Sequence, residues 1–223
     1  MNFREYDAAL AKVYELGSRM IGHRSFPKKF FEQTEIHLGN RGLEAGCGTL
    51  RWTIGMIKAM RKKGENLEGM LIDAFDASEP MLKKAEKKAR RNKILVRLWK
   101  ADGQDLTYAR QFYGQKVNGK TREFYDEEFD WIISSGMLEC IPDPIKAARE
   151  LYRVAKPGAT IIIPLVNDNK EGRFASKALK FNIISPEILK EFKETEFKPF
   201  EVKYKIRKYL QELTTVYVGI KNS

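Results

Sequence analysis

RGLEAGCGTLRW, Arg41 to Trp52, begins with residues suited to a buried strand (Gly42, Leu43, Glu44, Ala45), turns at Gly46-Cys47-Gly48-Thr49 and continues as an amphipathic helix. A strand that stops at a Gly-x-Gly turn and opens a helix points backbone N–H groups outward at the helix N-terminus. The glycines remove the Cβ atoms that would block a ligand. The stretch therefore predicts the mouth of a nucleotide-cofactor site, with a plain tight turn as the alternative. In the dinucleotide fingerprint the sixth position is small, and here Arg51 occupies it. A long cation there is incompatible with close helix–strand packing, so a nicotinamide or flavin dinucleotide is disfavoured. The acidic Glu44 just before the first glycine suits a ligand carrying an ammonium better than a pyrophosphate.

Working outward, 223 residues with 43% hydrophobic content suit one domain with a single substantial core. No run approaches the roughly 18 apolar residues of a membrane span, and the charged start MNFREYDAALAKVYELG has no secretion-signal pattern, so a soluble cytoplasmic protein is expected. Contact with a membrane would then be peripheral. Cys47 and Cys140 stand in no metal-ligand spacing and are expected as free thiols, with no metal site. The formal charge of +11, from 41 Lys and Arg against 30 Asp and Glu, brings nucleic acid, an anionic membrane surface and an acidic substrate into consideration. A heavily charged surface of the kind favoured at high temperature is the plainer reading.

Phe3, Tyr6, Leu10, Val13 and Tyr14 recur at helical steps, and a second short helix is expected from Pro27 to Glu35; residues 1–38 thus read as a helical cap. Residues 39–166 alternate strand and helix as a cofactor-binding core. Strands are expected at Gly69–Phe75, Ile94–Trp99, 129–135 and Thr160–Val166, and helices at 50–63, 79–91 and 145–155. Gly64 suits a left-handed cap, while Asp143 and Pro144 suit an N-cap and first turn. The basic run on the 79–91 helix reads as a solvated face. Residues 107–128 are long for a connection, and Asn118-Gly119 predicts a small protruding hairpin, either at the acceptor or a neutral insertion. In 167–223, Phe200–Arg207 alternates with period two and Leu213–Ile220 is more continuously apolar, suggesting buried faces on both sides and a closing hairpin. The pattern is a doubly wound α/β sheet.

Successive strands end in candidate ligand groups. Asp76 could accept hydrogen bonds from both ribose hydroxyls; Asp102 and the Gly103 N–H could meet an adenine edge; Ser134-Ser135-Gly136-Met137-Leu138-Glu139 could form a floor. The segments GLEAGCGT, DAFDASEPML, KADGQDL, EEFDWIISSGMLECIPDP and ELYRVAKPGATIII together resemble the class I S-adenosylmethionine-dependent methyltransferases from Arg41 to Val166. Many members carry a third glycine where this chain has Leu50. The resemblance implies a Rossmann-like sheet of seven strands, five parallel plus a C-terminal antiparallel hairpin whose last strand lies beside the fifth. It implies S-adenosyl-L-methionine as cofactor and S-adenosyl-L-homocysteine as product. Carried over residue by residue, it assigns Glu44, Ala45, Gly46 and Gly48 to the methionine end, Asp76 and Ala77 to the ribose, Asp102 and Gly103 to the adenine, Met81 to packing on the adenine ring and Ser135 to the floor.

Gly22-His23-Arg24-Ser25-Phe26-Pro27-Lys28 is similar to the Gly-x-His-Arg-x-Trp-Lys stretch of the ubiquinone and menaquinone biosynthesis methyltransferases, with Phe26 for the tryptophan and Pro27 as a further departure. It implies a small-molecule or lipid-like acceptor and gives Arg24 an anion to bind, either the cofactor carboxylate or the acceptor. If a proton must leave the acceptor, His23, Glu139 or a cap tyrosine could take it, and the sequence does not choose. Cys140 stands where relatives often carry histidine. An RNA or protein methyltransferase is the rival enzyme, disfavoured by the absence of an Asp/Asn-Pro-Pro-aromatic turn and of an appended RNA-binding module. A non-catalytic cofactor-binding subunit is the rival from a different class.

Overall fold

In a computed structural model, described for residues 25–193, 195–200 and 213–222, Gly42, Leu43, Glu44 and Ala45 are all buried as the end of β1 (Arg41–Ala45). This strand pairs in parallel with β2 (Leu71–Asp76) on one side and β6 (Phe129–Ser134) on the other. The parallel core is completed by β3 (Arg97–Asp102) beside β2 and β7 (Ala155–Val166) beside β6. Two antiparallel strands, β4 (Asp105–Tyr113) and β5 (Lys116–Arg122), extend the β3 edge. On the far side β9 (Thr214–Lys221) lies between β7 and β8 (Thr195–Phe200). The order is β5-β4-β3-β2-β1-β6-β7-β9-β8. The expected five parallel strands and the insertion of the last strand beside the fifth are present, and ligands of such sheets bind at the switch point between β1 and β6.

Alternation along the central strands divides the core. Trp131, Ile133 and Ile162 face a cluster with Phe30 of α1 (Phe26–Gln33) and Trp52 and Met56 of α2 (Arg51–Lys63). Ile132, Ile161 and Ile163 face the other layer, where α4 (Pro144–Val154) supplies Ala147, Ala148 and Leu151 and a 3-10 helix (Pro186–Phe192) supplies Phe192. Helix α3 (Glu79–Asn92) packs Leu82, Ala85 and Ala89 on Ala74, Leu98 and Phe112. Strands that are apolar on both faces have two layers to fill, which is why they read as unbroken runs. Asp143 caps α4 as expected, its Oδ1 accepting from the Lys146 N–H at 2.9 Å. Gly64 takes the left-handed cap of α2.

Four expectations need correction. The sheet has nine described strands, not seven, because the segment expected to protrude pairs with β3. That hairpin spans Asp105–Arg122, and its turn is Gly114-Gln115, both at positive φ (64° and 68°), with Asn118 and Gly119 inside β5. The Glu86 carboxylate of α3 selects this turn by accepting from the N–H groups of Gly114 (2.9 Å) and Gln115 (3.0 Å). The third strand begins at Arg97 and not at Ile94, since the Ile94 N–H bonds back to the Ala89 carbonyl in the six-to-one contact that ends a helix over a left-handed Lys93. Strand β9 is not buried on both faces, with Ile220 exposed. The period-two strand expected at 200–207 lies, apart from Phe200, outside the described residues; β8 precedes it. The helix expected at 3–19, Arg24 and His23 also lie outside them.

Candidate active site

At the C-terminal edge of β1 the chain makes its sharpest turn. Gly46 and Gly48 are both left-handed, at φ 62° and 51°, and Leu50 follows at φ 61° immediately before α2. Leu50 thus adopts the conformation that a glycine there would supply without strain, and it does so as a fully buried side chain of the α3 cluster. The two glycines differ in surroundings. A Cβ on Gly46 would lie 2.4 Å from the Cβ of Met137, whereas one on Gly48 would meet nothing within 4 Å among the described residues. Gly46 allows a close internal contact, and Gly48 leaves open space against its backbone.

Glu44 and Asp76 hold this turn from two sides. Glu44 is buried, and its Oε2 accepts from the Thr53 N–H at 2.9 Å in the first turn of α2, where no N-cap side chain serves. Burial pushes its pKa up to about 7, against the opposing hydrogen bonds from Thr53 and Trp52 and the charge of Arg51. Asp76, the last residue of β2, accepts from the Gly48 N–H through Oδ2 and from the Ser78 N–H through Oδ1, both at 2.8 Å. Burial raises its pKa to about 6, and these two donors oppose the rise. Thr49 completes the turn, its hydroxyl accepting from Lys88 Nζ of α3 at 2.8 Å.

The remaining strand ends converge on Met137. Its Sδ would lie 2.6 Å from a Cβ on Gly103, so one buried methionine fills the gap between the turn after β1 and the turn after β3. Ser135 is half-buried beside Gly136, itself left-handed at φ 80° with no neighbour where a Cβ would stand. Ser134 is buried with its Oγ unpaired among the described residues. Asp102 is exposed, its Oδ1 accepting from the Gln104 N–H at 2.9 Å. A cleft of about 450 Å³ opens here, lined by Ala77, Lys100, Asp102, Gln104, Tyr108 and Arg110 among others. Two of these, Tyr108 and Arg110, come from the β4–β5 hairpin. Met81 is buried in the first turn of α3.

Glu139, one of the three candidate bases, is buried between the ends of β6 and β7. Its Oε1 accepts from the Val166 N–H at 3.4 Å and its Oε2 has no partner among the described residues. Burial raises its pKa to about 7, opposed by its own N–H and that of Val166. The structure thus brings together Ala45, Gly46, Gly48, Asp76 and the turn after β6, with Asp102 and Ala77 on the adjoining cleft. It turns Glu44 inward beneath α2. Met137 is part of the expected floor, but its place between Gly46 and Gly103 and the Thr49–Lys88 contact are not legible in the sequence, because nothing in local spacing connects these residues.

The set suits a nucleoside cofactor with an amino-acid tail: an unobstructed glycine backbone, a carboxylate at the end of the adjacent strand and a second carboxylate on a neighbouring cleft. A family model described as a methyltransferase domain matches residues 43–163. The demethylmenaquinone methyltransferase of Staphylococcus carnosus is 31% identical over 140 residues, which are 63% of this chain and 48% of that protein. The one from Lactiplantibacillus plantarum is 30% identical over 140 residues, covering 63% and 51%. The chain spans about half the length of these curated relatives. Crystal structures of S-adenosylmethionine-dependent methyltransferases share the fold: one from Thermotoga maritima with TM-score 0.63 at 18% identity, covering 96% of this chain and 98% of that one, and one from Aquifex aeolicus with TM-score 0.64 at 17% identity, covering 97% and 100%.

Proposed function

The chain belongs to the methyltransferase domain family, and from that premise we propose that it methylates a small-molecule or lipid-like acceptor with S-adenosyl-L-methionine, releasing S-adenosyl-L-homocysteine. The observation that carries the reading is the open left-handed Gly48, whose N–H is held by the Asp76 carboxylate at the switch point of the sheet. When bound, the cofactor supplies an electrophilic sulfonium methyl for in-line displacement: a bond from acceptor to carbon forms as the sulfur–carbon bond breaks.

What the protein contributes is alignment and dryness. Gly46 and Gly48 would present backbone to the methionine end and Ala45 would line it. Glu44 would act there chiefly by fixing the start of α2. Asp76 would accept from the ribose hydroxyls with Ala77 alongside; Asp102 and Gly103 would meet the adenine, Met81 would pack near the ring and Ser135 would form the floor. Arg24, outside the described residues, is assigned an anion by its sequence context. We read residues 1–38 as the cap over this mouth, 39–166 as the core and 167–223 as the closing element.

The acceptor class draws support from the two relatives, whose names specify demethylmenaquinone as what they methylate. Among the described residues no helix is long and apolar enough to cross a membrane, so a lipid-like acceptor would be met from the aqueous side, in the cytoplasm on our reading. The test incubates methyl-labelled cofactor, the purified protein and a cell extract. Label in the organic phase is expected. Label in RNA or protein would overturn the acceptor class, and measurable cofactor binding with no transfer would favour a non-catalytic subunit.

A further inference from the structure

Helix α5 (Lys170–Leu179) is nearly unpacked: of its ten residues only Gly172 is buried. Its exposed positions fall on one side. Lys170, Phe174 and Lys177 follow one another at steps of four and three, the stripe spacing of a helix, with Arg173 beside them; Glu171, Ala175, Ser176 and Leu179 are half-buried. Phe174 is 78% exposed, and Lys180 adds a further exposed cation just past the end. An aromatic ring flanked by lysines is the opposite of what a core-facing helix presents.

The helix starts close after the C-terminal end of β7, and the chain just past its far end is fastened to the turn after β6. At the start, four residues after β7, Asn169 Oδ1 accepts from the Gly172 N–H at 2.8 Å, and a Cβ on Gly172 would lie 1.9 Å from the Asn167 carbonyl oxygen. At the far end the Asn182 N–H donates to the Glu139 carbonyl at 2.8 Å, fastening the chain to the turn after β6. The stripe therefore stands beyond the C-terminal ends of β6 and β7, on the edge of the sheet that carries the candidate site.

We propose that α5 is an interfacial helix that seats the protein on an anionic lipid surface, with Phe174 entering the acyl boundary and Lys170, Arg173 and Lys177 meeting headgroup phosphates. Charge complementarity selects this occupant: the exposed stripe carries no acid, the whole chain carries +11, and among the described residues Arg173 alone of the three cations has an ion-pair partner, the exposed Asp168 at 2.6 Å. One apolar anchor amid lysines binds a negatively charged bilayer through partial insertion plus attraction. The role, though not the binding, rests on a lipid-like acceptor.

The test sediments the full chain with vesicles of phosphatidylcholine alone or mixed with phosphatidylglycerol. Binding to the mixed vesicles is expected to exceed that to the neutral ones by about tenfold, to weaken with salt, to fall about tenfold in Phe174→Ser and to vanish in the triple variant K170E/R173E/K177E. Calorimetry with S-adenosyl-L-methionine should give wild-type affinity for both variants; loss of that binding in the wild type would strike the methyltransferase reading and not this one. Absence of binding to anionic vesicles, or equal binding by the variants, overturns the proposal. So does tighter retention by single-stranded RNA that disappears in the triple variant.

Discussion

Arg122 Nη1 meets Asp73 Oδ2 at 3.1 Å, joining the last residue of β5 to the middle of β2, three strands away in the sheet. Asp73 is completely buried and accepts in addition from Arg97, through two bonds of 2.8 Å, and from Trp99 Nε1 at 2.7 Å, while Arg41 lies against it. Arg122 also pairs with Glu128 and stacks 4.5 Å over the ring of Phe124. Removing the shared carboxylate would leave several cations without their buried partner. Asp73→Ala is therefore expected to lower unfolding free energy by about 3–5 kcal/mol in urea titrations. A loss below about 1 kcal/mol would show that water already screens the cluster.

The two glycines of the first turn should separate fold from binding. Gly46→Ala drives a methyl into Met137 and should depress the melting temperature strongly, since both the left-handed backbone and the contact must give. Gly48→Ala meets open space and should cost only about 1–2 kcal/mol of backbone strain, yet weaken cofactor binding at least tenfold by calorimetry. Similar thermal losses with unchanged affinity would remove Gly48 from the site.

In its proposed role on the ribose, Asp76 would give that affinity a pH dependence. Its folded pKa of about 6 means the free carboxyl is mostly protonated at pH 5 and ionised at pH 7.5. An ionised carboxylate accepts from hydroxyls more strongly, so cofactor affinity should rise as pH rises through 6. In Asp76→Asn the rise should vanish and affinity at pH 7.5 should fall by about ten- to a hundredfold. A variant that keeps the wild-type profile would assign the titration elsewhere.

Glu139 gives a stability dependence of its own. Its pKa, about 7 in the folded protein against 4.5 ordinarily, is raised, so its contribution is fully present below pH 4.5 and is lost as pH climbs through 7. Glutamine has no proton to lose. The stability of Glu139→Gln relative to wild type should thus improve by about 2–3 kcal/mol between pH 5 and pH 8, read as the change in the difference between denaturation curves. A difference that is flat across this range would mean that the carboxylate stays hydrated.

The parts of this fold that were legible in the sequence are those fixed by contacts near in the chain. Gly46 and Gly48, the Asp143 cap and Gly64 each act within a few residues, and the alternation of apolar runs carried the parallel core. The hairpin turn was misplaced because Asn118-Gly119 is a strong local signal and the group that overrides it, Glu86, lies 28 residues before Gly114. Ile94 looked like strand because a helix end also wants an apolar residue after its left-handed position. Met137 belongs to the same class: its partners are two glycines in the turns after β1 and β3, and only assembly of the sheet reveals that their missing side chains form one gap.

At its two outermost described strands the sheet is poorly suited to recruiting another. Strand β5 offers Lys116, Asn118, Gly119, Lys120 and Arg122 in seven residues, and β8 offers Glu196, Lys198 and Pro199, the last with no N–H to give. Lysines and a proline at the margins repel or fail to pair with an incoming chain. The parallel core between them, with buried runs such as Ile161–Ile163, is thus fenced by margins that discourage self-templating.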